Sequence, residues 1–178
     1  SAMTILVGYP INRRAKAVLS LAGMLSRSSG EDLLVCTVIP APWMPGLSRA
    51  DEGYRSYIDE SAESALAQAG ADLAEDVPAK FTTVQSRSAP SGLVEAAEQH
   101  EVSMIAVGSA AAGQFGYIGL SSVAERLLHS SPIPVALAPR GFRAKGGKVG
   151  RVTLGYTGGK QSGALLGAAH TVAGKLSA

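Results

Sequence analysis

Short apolar runs alternate with stretches of helical periodicity along most of this chain, and that alternation constrains its fold more than any other feature. Residues 3–9 form the first run, and behind it Ala15, Val18, Leu19, Ala22 and Leu25 share one helical face. Residues 33–39 form the second, apolar at nearly every position, as a strand covered on both faces should be. Pro40, Pro42, Pro45 and Gly46 then break regular structure. A long helical stripe follows: Tyr54, Tyr57, Ile58, Ala62, Ala65, Ala69 and Leu73, with Trp43 before it as an expected packing anchor. Further strands are expected at 79–85, 103–107 and 133–138. Pro90 opens a short helix carrying Leu93, Val94 and Ala97, where proline's missing N–H costs nothing, and another helix carries Val123, Leu127 and Leu128. This βαβαβαβαβ order predicts one α/β domain over 3–140, a five-stranded parallel sheet with helices on both faces. Ligands of such sheets bind beyond the carboxyl ends of the strands, where the strand order reverses.

With 178 residues, 46% of them hydrophobic and 17% charged, the chain has the material for such a core. A net charge of +2 is too small to argue for a nucleic-acid surface. Arg140, Arg143, Lys145, Lys148 and Arg151 are interrupted by glycines and read as a solvated linker spanning 141–148. Cys36 is the only cysteine, which excludes an intramolecular disulfide framework and a cysteine-based zinc site. Its apolar neighbours predict a buried, inert thiol. His100, His129 and His170 are isolated from one another, and His129 closes a helical pattern, where a cation is favoured by the helix dipole. No apolar run approaches the roughly 18 residues of a membrane span, and no leader-like segment is read at the start, so the expected compartment is the cytoplasm. Neither nucleic acid nor membrane is an expected partner.

After residue 148 the pattern restarts. Arg151-Val152-Thr153-Leu154-Gly155-Tyr156 echoes Thr4-Ile5-Leu6-Val7-Gly8-Tyr9, at an offset of about one complete domain. Residues 149–178 therefore read as the first strand and helix of a second, incomplete repeat, with Leu165, Leu166, Ala169, Val172 and Ala173 at helical spacing. Such a segment, lacking a domain of its own to cover it, and the open edge of the fifth strand together predict a homodimer. It would form through fifth-strand edges or by exchange of the C-terminal strand and helix.

The richest stretch chemically is 108–123. Gly108, Gly113, Gly116 and Gly119 let backbone N–H groups approach an anion, and Ser121 and Ser122 stand at a helix start. Either serine has the chemistry to cap that helix or to donate to a phosphate, and an ordinary loop with a serine cap accounts for the composition equally well.

The runs Ile105-Ala106-Val107-Gly108-Ser109, Ser122-Val123-Ala124-Glu125-Arg126-Leu127-Leu128 and Pro134-Val135-Ala136-Leu137-Ala138 resemble the C-terminal half of a universal stress protein domain. The first two strands and Ser88-Ala89-Pro90 fit the same family, so the resemblance covers residues 3 to about 140, and the restart resembles the second half of a tandem member. It implies a flavodoxin-like (Rossmann-like) fold of strand order 3-2-1-4-5, with fifth strands pairing between domains. It also implies a stress-response module, not a catalyst, that binds an adenine nucleotide, ATP or AMP. ATP-binding members carry Gly-x-x-Gly, nine residues, then Gly-Ser/Thr. Here Gly108 matches the first glycine, Ala111 stands at the second, Ser121 at the third, and Ser122 supplies the final hydroxyl. Val38 matches a backbone contact to adenine, and Pro10 stands where these members have an acidic residue. The implied site comprises Gly8, Val38, Val107, Gly108, Gly113, Ser121, Ser122 and Val123, with affinity below that of members keeping the full motif.

A second glycine-rich turn, Tyr156-Thr157-Gly158-Gly159-Lys160-Gln161-Ser162, is similar to the pyrophosphate loop of ATP pyrophosphatases, with Thr157 for a serine and Gln161 for an aspartate. A plain strand-to-helix turn is the simpler reading. No Ser-His-Asp set or carboxylate pair stands at a recognisable spacing. The alternative to nucleotide binding is a nucleotide-free interaction module of the same fold.

Overall fold

The computed structural model describes residues 3–41, 49–110, 119–156, 158–160 and 162–178. Five strands, β1 (Thr4–Gly8), β2 (Asp32–Pro40), β3 (Ala79–Ser86), β4 (Met104–Gly108) and β5 (Val135–Ala138), form one sheet in the order β3-β2-β1-β4-β5. Every neighbouring pair is parallel, with Leu6 beside Leu34 on one side and Ile105 on the other. Four helices connect the strands: α1 (Lys16–Ser29), α2 (Arg49–Asp72), α3 (Ala89–Gln99) and α4 (Ser122–Ser130). A fifth, α5 (Ser162–Lys175), lies beyond the sheet. The flavodoxin-like fold expected over 3–140 is the fold observed.

Alternation along the strands divides the core into two layers. Ile5, Val7, Leu33, Val35 and Ala106 meet Val18, Leu19, Ala22 and Leu25 of α1 and Ala69 of α2. Leu6, Leu34, Cys36, Ile105 and Val107 point the other way, against Leu93, Ala96 and Ala97 of α3 and Ala124 and Leu127 of α4. A period of two residues places successive side chains on opposite faces, and both faces here are covered by helices.

Local signals set the helix ends. Gly30 closes α1 at φ 75°, a left-handed conformation that glycine adopts without a Cβ penalty. The Ser88 hydroxyl oxygen caps α3 by accepting from the Ser91 N–H at 3.3 Å, with Pro90 in the first turn. Ser121 does the same for α4, accepting from the Ala124 N–H at 3.1 Å. His129 falls in the last turn of α4, its Nδ1 2.8 Å from the Glu125 carbonyl oxygen.

Two expectations need correction. The stripe predicted for α2 holds at Ala62 and Ala69, which are fully buried, but Tyr54 and Tyr57 are 62% and 65% exposed. A helix of 24 residues is about 36 Å long, and the residues it packs against the α1-side core, Ala65, Leu66 and Ala69, all fall in its later turns. Trp43 lies outside the described residues.

The second correction concerns the restart. Residues 151–156 adopt no strand, although α5 forms as expected. β1 owes its conformation to two flanking partners, β2 and β4, and none of the described residues after 156 forms a strand to pair with its echo. The segment instead docks on its own domain. Val149 and Val172 pack against the α1-side core and Leu176 is buried in it, while Leu165 and Leu166 remain exposed. In the stretch 141–148 Arg143, Lys145 and Lys148 are exposed, while the Ala144 N–H donates to Ser20 Oγ at 2.7 Å; just after it the Val149 N–H donates to Ser28 Oγ at 2.8 Å. Burial of Leu176 in cis removes part of the reason for exchanging this segment between chains.

Candidate functional site

In the order β3-β2-β1-β4-β5, connections leave β1 toward one edge of the sheet and β4 toward the other. The helices diverge with them, and the gap beyond the two carboxyl ends is the crevice that such sheets offer to ligands. A cavity of about 370 Å³ occupies this position. Gly8, Cys36, Val38 and Val107 line its strand-end side. Leu93 and Val123 come from α3 and α4, while residues 9–13 and 86–89 supply the turns after β1 and β3.

Packing shapes this floor. A Cβ on Gly8 would lie 2.8 Å from Leu93 Cδ1 and 3.0 Å from Val107 Cγ1, so glycine is what lets α3 sit over the end of β1. The Tyr9 hydroxyl oxygen accepts from the Ala15 N–H at 3.3 Å, and the Tyr9 carbonyl accepts from Thr37 Oγ1 at 3.1 Å. These two bonds hold the turn after β1 against the sheet. Desolvation pushes the Cys36 thiol up to about 11, so it stays protonated and lends the cavity an apolar wall instead of a nucleophile.

Among the described residues the charge at the cavity is of one sign: Arg13 and Arg87 line it, and no described lining residue is acidic. The Arg13 guanidinium donates from Nη2 to the Ser109 carbonyl at 3.4 Å. The pairing suits a ligand with an apolar, planar part and an anionic end.

Of the residues singled out in the sequence, Gly8, Val38, Val107, Gly108, Ser121 and Val123 come together on this cavity. Ser122 does not; it faces a shallow groove between α3 and α4, lined also by Glu95, Glu125 and His129. Gly113 lies outside the described residues, as does Ala111. Pro10 lines the cavity where the motif calls for an acidic residue. The Ser121 hydroxyl, left open between two roles by the sequence, serves as the α4 cap.

Sequence reasoning missed Asn12, Arg13, Ser86 and Arg87, all of them cavity-lining. Their signal was positional: each follows the carboxyl end of a predicted strand near the crevice, and none belongs to a motif. In the second glycine-rich turn, Thr157 and Gln161 lie outside the described residues, and Gly158 turns at φ 76° ahead of α5. Among the described residues no helix is long and apolar enough to cross a membrane.

Comparison with known proteins agrees with this geometry. The universal stress protein family model matches residues 2–139. The chain belongs to the universal stress protein family. Universal stress proteins of Mycobacterium bovis and Mycobacterium tuberculosis are 31% identical to it, over 87% of this chain and 54% of theirs. This universal stress protein chain thus spans about half the length of the curated relatives it matches. Among solved structures, a universal stress protein from Archaeoglobus fulgidus aligns with a TM-score of 0.55 at 18% identity, over 78% of this chain and 99% of that one. A universal stress protein solved in complex with cAMP aligns with a TM-score of 0.52 at 23% identity, over 78% and 98%. The Archaeoglobus fulgidus protein in complex with dAMP gives 0.53 at 17%, over 76% and 97%. At these identities the likeness shows the shared fold.

Proposed function

We propose that this universal stress protein chain binds an adenine nucleotide, ATP or AMP, in the cavity beyond β1 and β4, and acts as a stress-response module in the cytoplasm through binding and assembly instead of turnover. The observation that carries the reading is the cavity itself. It sits at the reversal of strand order, has an apolar wall of Val38, Leu93 and Val107, and presents Arg13 and Arg87 without an opposing carboxylate. That two structural neighbours were solved with dAMP and cAMP supports the same ligand class. Assembly would use the open edge of β5, which pairs on one side only, with β4. Isothermal titration with ATP, ADP and AMP tests the reading: saturable binding lost on Val38→Trp, which fills the cavity, supports it, and no heat from any of the three sinks it.

A nucleotide-free interaction module is favoured by one observation: the Ser121 hydroxyl oxygen is engaged as a helix cap where the motif requires a glycine. The same titration separates the two. An ATP-using enzyme of the pyrophosphatase-loop kind ranks below both, and turnover assays with ATP would test it.

A further inference from the structure

Next to the cavity lies a second cleft of about 400 Å³, over the start of α1 and the carboxyl ends of β4 and β5. Arg13 and Gly108 line both, so the two spaces meet at the Arg13 guanidinium. Beyond Arg13 the cleft is lined by Arg14, Lys16, Arg140 and Arg143, and by no acidic residue among those described. Asp72 holds Arg14 in an ion pair and stands 3.8 Å from Lys16 Nζ, so these two are partly neutralised. Arg13 and Arg143 donate only to neutral carbonyls, those of Ser109 and Phe142, in the contacts observed. α1 also begins without a side-chain cap and without an acidic residue in its first turn.

Arg13 and Arg143 therefore stand on one cleft without a carboxylate bonded to either in the contacts observed. We propose that the cleft is a phosphate-chain site, in which Arg13, Arg140 and Arg143 hold the β- and γ-phosphates of a nucleoside triphosphate whose base lies in the neighbouring cavity. Phosphate is recognised here by guanidinium side chains, whose planar forks suit phosphate oxygens. The proposal rests on the nucleotide reading for its base and ribose, and on the cleft alone for its phosphates.

The test is titration of adenosine, AMP, ADP and ATP in EDTA, with the intact chain and with Arg140→Gln/Arg143→Gln, alongside inorganic tripolyphosphate. Affinity is expected to rise with each phosphate, by about tenfold from AMP to ATP, the factor that one charge-assisted hydrogen bond supplies. The double variant should lose that gain and keep its AMP affinity, and tripolyphosphate should bind the intact chain only. Exposed Arg143→Gln alone provides the same comparison if the double variant does not fold. ATP binding no tighter than AMP, or an unchanged gain in the variants, overturns the proposal and leaves the nucleotide reading intact. Failure of all four adenine compounds sinks the nucleotide reading, and tripolyphosphate then decides the cleft: binding to the intact chain alone upholds it, and no binding overturns it.

Discussion

A Cβ on Gly92 would lie 2.7 Å from Val38 Cγ1 and 3.0 Å from Ser86 Cβ, so α3 rests on the cavity wall at a distance that only glycine permits. Val38 is β-branched and stiff at χ1, and cannot swing aside cheaply. Gly92→Ala should therefore destabilise the fold by about 1–3 kcal/mol, the usual range for overpacking. Urea unfolding checks this. An alanine variant as stable as the parent would mean that α3 shifts freely on the sheet.

Asp72 links α2 to the start of α1. The hydrogen bond from Arg14 holds its carboxyl below the usual carboxylate range, with Lys16 adding attraction. A folded-state value below the unfolded one stabilises the fold above the ordinary carboxylate pKa, and that contribution disappears as pH falls through the folded value. Asp72→Asn should accordingly be less stable than the parent at pH 7, with the gap closing at pH values below about 4. Unfolding curves at both pH values measure it; a gap that widens in acid contradicts the assignment.

Cys36 is fully buried, and its thiol is raised to about 11 by desolvation. A thiol-specific reagent at pH 8 should leave the native chain unmodified and react once denaturant is added. Rapid modification of the native chain would show that the cavity wall opens to solvent.

Leu176 is buried against the α1-side core, near the end of the chain. Leu176→Ala should cost about 2 kcal/mol, the low end for a core leucine, since a terminal site relaxes easily. If the segment docks on its own domain, deleting residues 149–178 will leave the oligomeric state unchanged. A dimer seen by light scattering that is lost on this deletion would point to exchange between chains. Pairing through β5 edges predicts a dimer that survives deletion of 149–178.

Much of this fold was legible because it follows from local, periodic rules. Apolar runs such as 33–39 have side chains for both faces of a sheet, and the faces they occupy, with Leu33 and Val35 opposite Leu34 and Cys36, follow from a period of two. The cap at Ser121, one of the two roles the sequence left open, is equally local; the cap at Ser88 and the turn at Gly30 are local too, though the sequence reading did not single them out. Strand order, by contrast, entered through family resemblance, because pairing partners lie far apart in the chain.

Other features depended on which segments the fold brings together. Residues 151–156 repeat the pattern of β1 yet form no strand, because a strand exists through its neighbours' hydrogen bonds and those neighbours are absent from the described residues that follow. Tyr54 and Tyr57 share the periodicity of Ala62 and Ala69 but stay exposed where those alanines are buried. Arg13 and Arg143 belong to no common motif, and only the close approach of the turns after β1 and β5 sets them on one cleft. The sequence by itself determined the layers and the types of their elements; the tertiary structure alone decided which charges meet, since electrostatic pairing depends on distance in space and not along the chain.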